Sequence, residues 1–190
     1  SNASDGTLSP EQVVRLAHEA GLSAIALTDH DTTAGVADAA EAGVELGLEV
    51  VPGIEVSSSF RDHEIHILGL FVDTDSPSLQ AALKEFRHHR DQRNQEMLGR
   101  FDAHGIHLTA EDLCAGNPDT VITRAHVARA LLAKGLGPDL DHIFKKYLQY
   151  GGIYCPPKEF LPPEAVMEAL LDSHAFVALA HPFQYKLGDK

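Results

Sequence analysis

The feature that most limits the fold of this chain is a set of short apolar runs, several of which end at a side chain suited to metal binding. Helical stretches separate many of the runs. Apolar runs without polar alternation, joined by helices, are typical of parallel strands that are buried on both faces. We therefore expect an α/β fold in which parallel strands deliver polar residues to one end of a barrel.

The helix and strand signals divide the chain into three parts. Residues 1–75 hold the first strands and helices, and residues 1–3 could be a remnant of tag cleavage. Residues 76–160 lack a strand signal and predict a helical insertion. Residues 161–190 return to a helix that is followed by a buried strand. The sequence thus predicts one α/β domain with helices inserted into it.

Capping signals give approximate bounds for the helices. Ser9 is a predicted N-cap, and Gln12 would close a capping box with it. Other helices are predicted over about 33–46, 76–103, a short stretch after 109, 123–135, 139–148 and 162–172. Strands are predicted at about 23–28, 48–51, 56–59, 65–71 and 175–180.

Composition excludes some classes of function. The net charge of −13 argues against a surface for duplex DNA, which requires clustered lysine and arginine. It does not exclude a phosphate substrate, because bound divalent cations would reverse the local charge. No apolar run approaches the roughly 20 residues that span a bilayer. Cys114 and Cys155 lack metal-site spacing and are expected to be buried and inert. We expect a soluble cytoplasmic protein.

His30 is the first candidate metal ligand. It lies in the segment 28–31, Thr-Asp-His-Asp, directly after a predicted buried strand. Asp29 and Asp31 would then orient the imidazole ring or bear on the metal. The alternative is a polar turn whose aspartates cap the next helix.

Three further candidates lie in apolar surroundings. Glu55 is flanked by six apolar or small residues, and an unpaired buried carboxylate costs several kcal/mol, so a metal or a cation is expected beside it. A glutamate at a surface edge is the alternative. His66 would project from the opposite face to its two isoleucine neighbours, although a core histidine bonded to a carbonyl fits equally. His181 ends an apolar run. This nitrogen and oxygen set suits zinc, manganese or iron better than calcium.

The order and spacing of these motifs resemble the PHP family, the polymerase and histidinol phosphatase metal-dependent phosphoesterases. The matching segments are Ser-Asp-Gly at 4–6, Leu-Ser-Pro at 8–10, Thr-Asp-His-Asp at 28–31, Pro-Gly-Ile-Glu at 52–55, His-Ile-Leu-Gly at 66–69 and Ala-His-Pro at 180–182. The resemblance covers nearly the whole chain. Within the family it looks most like the group with a helical insertion that hydrolyses nucleoside 3′,5′-bisphosphates and trims short RNA from the 5′ end.

The resemblance implies a distorted (β/α)7 barrel with up to three divalent metal ions. Glu55, His66 and His181 would hold one ion, with Glu55 bridging to a second, while Asp5 and His30 would serve the third. It also implies a phosphoesterase in which a metal-activated hydroxide attacks phosphorus. The expected substrate is a small phosphorylated nucleotide or a short oligoribonucleotide.

The insertion is expected to supply substrate contacts. Arg124 and His126 match the family's Arg-x-His at a helix start, where a guanidinium and free N–H groups favour phosphate. An exposed pair on a helix surface is the alternative. Three arginines of the preceding helix could add to these substrate contacts, but their spacing and acidic neighbours favour a solvated surface. They are Arg87, Arg90 and Arg93.

Two ligand pairs of the family fall outside residues 1–190. These are a His-x-His pair before the position of Asp5 and an Asp-x-His pair after that of His181. We therefore expect a fragment of an active enzyme, with an incomplete barrel and weak activity of its own. A histidinol-phosphate phosphatase, a polymerase-associated exonuclease and a non-catalytic metal-binding module remain as alternatives.

Overall fold

The computed structural model describes residues 1–61, 63–114, 117, 119–157 and 160–185. The helices are α1 Pro10–Glu19, α2 Val36–Leu46, α3 Pro77–Ala103, α4 Ala110–Cys114, α5 Arg124–Ala133, α6 Leu140–Tyr147 and α7 Pro163–Asp172. The strands are β1 Ala24–Leu27, β2 Glu49–Phe60, β3 His63–Leu70 and β4 Phe176–Leu179, and a 3₁₀ turn spans Pro182–Gln184. The α/β class predicted from the sequence is confirmed.

The four described strands form one sheet in the order β1-β2-β3-β4. β1 and β2 are parallel, whereas β3 is antiparallel to both β2 and β4. The parallel pairing expected for apolar runs separated by helices is found for β1 and β2, whereas β3, which no helix separates from β2, is antiparallel. The physical reason is the short turn after Phe60, because a parallel crossover needs a dozen or more residues.

β2 is one long strand where the sequence predicted two. The interruption was expected at Pro52 and Gly53, yet the strand continues through both residues. The carbonyl of Pro52 still accepts a hydrogen bond from the Val72 N–H at 3.2 Å. A Cβ on Gly53 would lie 2.8 Å from the Thr28 side chain and 2.9 Å from the Leu27 carbonyl oxygen. Gly53 therefore allows β1 and β2 to approach closely.

Helix α2 begins later than predicted. Residues 32–34 form a turn in which the Ala34 N–H donates to the Thr32 hydroxyl at 3.2 Å, and Gly35 precedes the first helical residue. Helix α1 matches its prediction, since the Ser9 and Gln12 capping box is present. Among the described residues, no helix is long and apolar enough to cross a membrane.

Helix α3 joins two separate apolar clusters. Its first half packs Leu79, Leu83 and Phe86 against the sheet and α7. Its second half packs Met97 and Phe101 against helices α4 to α6. The buried residues between these halves are polar: Arg90, Arg93 and Asn94. A polar zone thus separates the sheet from the helical segment. The predicted domain boundaries at 75 and 160 stay a prediction.

Candidate metal centre and arginine pocket

His30 and Glu55 are neighbours because the β1–β2 ladder continues beyond the end of β1. They form an isolated parallel bridge. The Glu55 N–H donates to the Asp29 carbonyl at 3.2 Å, and the Asp31 N–H donates to the Glu55 carbonyl at 3.0 Å. Backbone pairing therefore fixes the spacing of these two predicted ligands.

His66 and His181 reach the same place from β3 and from the end of β4. His66 pairs with Ser57 on β2. Its carbonyl accepts from the Ala180 N–H at 2.9 Å, which places His181 beside it. The backbone N–H of His66 donates to the Tyr185 hydroxyl at 2.8 Å. The two imidazole centroids lie 5.0 Å apart.

Glu55, His66 and His181 converge tightly through their side chains. Glu55 Oε1 lies 2.9 Å from His66 Nδ1 and 3.0 Å from His181 Nε2, and these nitrogens are 3.1 Å apart. Ligands about 2.1 Å from one tetrahedral ion stand about 3.4 Å from each other. The three atoms therefore fit ligands of a single divalent ion.

His30 extends this group towards Asp5. Single donor atoms of His30, Glu55 and His66 all lie within 4.8 Å of one another. His30 Nε2 is 4.0 Å from the Asp5 carboxylate. Within the described part of the chain, the buried Nδ1 atoms of His30 and His181 have no hydrogen-bond partner. This donor set fits divalent metal ions, as predicted; the residue assignments stay predictions.

The pKa shifts of His66 and Glu55 indicate the electrostatic character of the metal centre. Burial alone would lower the pKa of His66, but the hydrogen bonds and charges of Glu55 and Glu64 outweigh it and raise the pKa to about 9. For Glu55, burial would raise the pKa, yet the bonds to His66 and His181 and the charge of His30 lower it. The centre therefore favours a positive charge, which a metal ion would supply.

A cavity of about 170 Å³ opens beside this centre. We call it the arginine pocket. Its wall includes Asp5, His30, Ser57, Glu64, His66, Arg90, Arg93, Thr123, Arg124, Ala125, Phe144 and Tyr150. The wall therefore includes three predicted metal ligands and three guanidinium groups.

Arg90 corrects a prediction from the sequence. It was expected on a solvated helix surface but is only 7% exposed. Its Nε donates to Asp31 Oδ2 at 2.7 Å, and its Nη2 donates to the same oxygen and to the Ser57 hydroxyl, the latter at 3.2 Å. Asp31 Oδ1 accepts from the Ser57 N–H at 2.7 Å. Asp31 thus ties α3 to the sheet.

Arg93 is also buried, against the same prediction, whereas Arg87 is exposed as expected. The Arg93 Nε and Nη2 donate to Asn94 Oδ1 at 3.2 and 2.6 Å. Its buried Nη1 has no partner among the described residues. Burial and then the charge of Arg90 lower the pKa of Arg93. An anion in the pocket would accept a hydrogen bond from Nη1 and offset the charge of Arg93.

Arg124 is the first residue of α5 and lies in the pocket wall. Its Nη1 donates to the Leu148 carbonyl at 3.2 Å, and its guanidinium lies 3.7 Å from the centroid of the Tyr150 ring. Its Nη2 is 3.5 Å from Glu64 Oε2, while Glu64 Oε1 is 3.5 Å from His66 Nε2. Glu64 therefore links the metal centre to the pocket.

His126 occupies a different environment. It is 2% exposed and does not line the arginine pocket as described. Its Nδ1 accepts from the Thr123 N–H at 3.0 Å and so completes the cap of α5. Burial and the charge of Arg129 lower the pKa of His126 to about 4. The neutral ring fixes the helix start that carries Arg124, and the predicted catalytic role of His126 stays a prediction.

Sequence reasoning did not identify Asp31 as an arginine partner or Glu64 as a link. Asp31 was expected to orient His30 or to bear on metal, but its carboxylate contacts Arg90 and Ser57. Asp29 accepts from the Ser4 hydroxyl at 2.7 Å. Two residues of the site adopt left-handed φ values, 54° for Asp31 and 30° for His181. Such strain is common where a fold positions functional groups.

Comparison with known proteins agrees with this geometry. A family model described as PHP domain matches residues 1–153. The chain is 36% identical over 193 residues to the 5′-3′ exoribonuclease Rnm of Escherichia coli, covering 99% of this chain and 65% of that protein. It is 34% identical over 190 residues to the 3′,5′-nucleoside bisphosphate phosphatase of Chromobacterium violaceum, covering 99% and 66%.

A solved structure is also similar. A proposed metal-dependent phosphoesterase from Bifidobacterium adolescentis superimposes with a TM-score of 0.88 at 29% identity, covering 95% of this chain and 64% of that one. The chain therefore spans about two thirds of the length of these relatives.

Proposed function

Because this chain belongs to the PHP domain family, we propose that it is part of a divalent-metal-dependent phosphoesterase. The proposed substrates are nucleoside 3′,5′-bisphosphates or the 5′ ends of short RNA. The observation that carries this proposal is the wall of the arginine pocket, which contains both predicted metal ligands and three guanidinium groups. A substrate with two phosphate groups would place one at the metal ligands and the other at the guanidinium groups.

The donor set supports the metal part of the proposal. Glu55, His66 and His181 would hold one ion, and Asp5 and His30 would serve another. Bound divalent ions would supply an activated water molecule and neutralise charge on the phosphate oxygens. Whether the metal is zinc, manganese or iron, and whether the protein is cytoplasmic, stay predictions from the sequence.

The arginine pocket supports binding of a second phosphate. Arg124 begins α5, a helix of ten residues whose first N–H groups also favour anions. Arg93 Nη1, unpartnered among the described residues, would donate to a phosphate oxygen. Asp31 holds Arg90 in the wall, so the positive charge is present before the substrate arrives.

The same charges weigh against a histidinol-phosphate phosphatase. That substrate carries a single phosphate, so it would leave the guanidinium groups of the pocket without a second anion. Two relatives with named activities also act on nucleotide phosphates: the exoribonuclease and the bisphosphate phosphatase. A doubly phosphorylated nucleotide is therefore the better match.

The test is phosphate release by the complete gene product after loading with manganese, zinc or iron. We expect hydrolysis of a nucleoside 3′,5′-bisphosphate, and little hydrolysis of histidinol phosphate. Arg124→Met should raise KM for the bisphosphate roughly 10-fold to 100-fold, the range set by one charged hydrogen bond. The matched control is Arg15→Met, on the exposed side of α1.

Three results separate the alternatives. Preference for histidinol phosphate would replace the proposed substrate. Metal binding without hydrolysis of any phosphate ester would favour the non-catalytic module. An unchanged KM in Arg124→Met, with the fold intact by circular dichroism, would remove Arg124 from the substrate site.

A further inference from the structure

A second and larger cavity, of about 340 Å³, lies between the 32–34 turn and helix α3. We call it the α3 cavity. Thr32 and Thr33 line one side, Lys84 and Arg87 line the other, and the buried Leu83 also contributes to the wall. It shares none of its lining residues with the arginine pocket.

The α3 cavity is cationic in a strongly acidic protein. Lys84 and Arg87 belong to its wall, and no carboxylate does. In the described part of the chain, neither cation forms an ion pair, whereas the chain as a whole has a net charge of −13. Two cations without acidic partners in such a protein indicate a place for an anion.

Hydroxyl groups complete the donor set. The Thr32 oxygen accepts from the Ala34 N–H, so the Thr32 hydroxyl keeps its proton for donation. Thr33 is partly exposed and offers a second hydroxyl. Two cations and two hydroxyls suit a phosphate group with several acceptor oxygens.

The position of the α3 cavity relates it to the active site. Thr32 directly follows Asp31, and Arg87 lies one helical turn before Arg90. The Asp31–Arg90 ion pair is therefore next along the chain to residues of the α3 cavity, and Arg90 itself lines the arginine pocket. Side chains three residues apart on a helix have Cβ atoms about 5–6 Å apart. The two cationic cavities thus follow one another along the same helix.

We propose that the α3 cavity binds a phosphodiester group of an oligoribonucleotide whose 5′ end occupies the active site. This inference rests on the proposed function, and it adds a binding contact that only substrates longer than one nucleotide would make. A nucleoside bisphosphate would use both of its phosphates at the metal centre and the arginine pocket. A third phosphate site is of use only to a longer chain. Lys84 and Arg87 would neutralise the phosphodiester, and the threonine hydroxyls would hold its oxygens.

The experiment compares two substrates with the metal-loaded complete gene product. The variant is Lys84→Ala with Arg87→Ala, and the charge-matched control is Arg15→Ala with Lys145→Ala, both exposed on other helices. For a 5′-phosphorylated tetraribonucleotide, we expect KM to rise about tenfold, equivalent to about 1.4 kcal/mol. For a nucleoside 3′,5′-bisphosphate, we expect no change. The control should alter neither value.

Salt dependence gives a second readout of the same contact. Each neutralised phosphate of a single strand contributes about 0.7 to the slope of log affinity against log salt concentration. For the tetraribonucleotide, the magnitude of this slope should be smaller by about 0.7 in the double variant. An unchanged slope together with an unchanged KM would overturn the proposal. Equal losses on both substrates would also overturn it, because the α3 cavity would then serve the catalytic step or the fold.

Binding in the presence of a chelator separates this inference from the proposed function. With hydrolysis stopped, fluorescence anisotropy measures the affinity for a labelled 5′-phosphorylated tetraribonucleotide. If the holoenzyme hydrolyses neither substrate, the proposed function fails, and a tenfold weaker binding in the double variant still supports the α3 cavity. If only inorganic phosphate binding changes, the α3 cavity takes free phosphate and the oligonucleotide proposal is wrong.

Discussion

The metal centre and the arginine pocket meet in one cavity but are held in place by different means. The spacing of His30 and Glu55 is set by backbone pairing between neighbouring strands. The guanidinium groups come from helices α3 and α5 and are held by side chains such as Asp31 and Asn94. The spacing of His30 and Glu55 therefore depends on the sheet, whereas the pocket depends on how the helices dock against the sheet.

The largest expected effect tests the metal side. Glu55→Gln removes the carboxylate whose Oε1 contacts both His66 and His181. We expect phosphate release to fall about ten-thousandfold, the scale at which one member of a catalytic unit acts. Metal content by elemental analysis should fall with it. The arginine pocket should keep its affinity for inorganic phosphate, because its donors lie on the helices.

Glu49→Gln is the matched control, since Glu49 is exposed at the start of the same strand. Retention of a full metal complement by Glu55→Gln would show that Glu55 is not a ligand. Loss of phosphate binding as well would show that the two regions are not independent.

The second prediction tests the docking of α3. Asp31→Asn leaves the buried Arg90 without its carboxylate partner. Breaking a buried ion pair in this way costs about 3 kcal/mol or more. We expect the free energy of unfolding, measured in urea, to fall by that amount. A second substitution, Arg90→Met, should recover part of the loss because it removes the unpaired charge.

The control for this prediction is Asp38→Asn, an exposed carboxylate on α2. An Asp31→Asn variant as stable as this control would show that the ion pair does not hold α3 in place. Loss of metal from Asp31→Asn would instead show that Asp31 contributes to metal binding.

The same contrast explains what the sequence could predict. The local sequence indicates each of four metal-ligand candidates. His30 and His181 follow apolar runs, Glu55 has apolar or small neighbours on both sides, and His66 alternates with isoleucines. The structure brings these four residues together. The antiparallel direction of β3 also had a signal in the sequence, because the predicted strands at 56–59 and 65–71 are too close together for a crossover connection.

The arginines of the arginine pocket were harder to predict, because the positions of Arg90 and Arg93 depend on the face that α3 buries. Its buried apolar residues recur every three or four positions, at Leu79, Leu83, Phe86, Met97 and Phe101. Arg90 and Arg93 continue that spacing through the gap. Charge composition favoured a solvated surface, whereas the helical period places them inward. Asp31, the partner of Arg90, lies 59 residues away in the sequence, and local patterns do not contain that contact.

The smallest expected effect tests the link between the two regions. Glu64 approaches His66 on one side and Arg124 on the other, each at 3.5 Å. Glu64→Gln should weaken metal affinity about tenfold, the lower range for a residue that orients a ligand. It should also lower KM for the bisphosphate, because Arg124 loses a competing carboxylate.

Glu96→Gln, an exposed partner of Arg100, is the control. Metal binding would then weaken while substrate binding becomes tighter, which a residue that only supports the fold would not produce. If both worsen together, Glu64 stabilises the site as a whole, and the metal centre and the pocket are one unit rather than two.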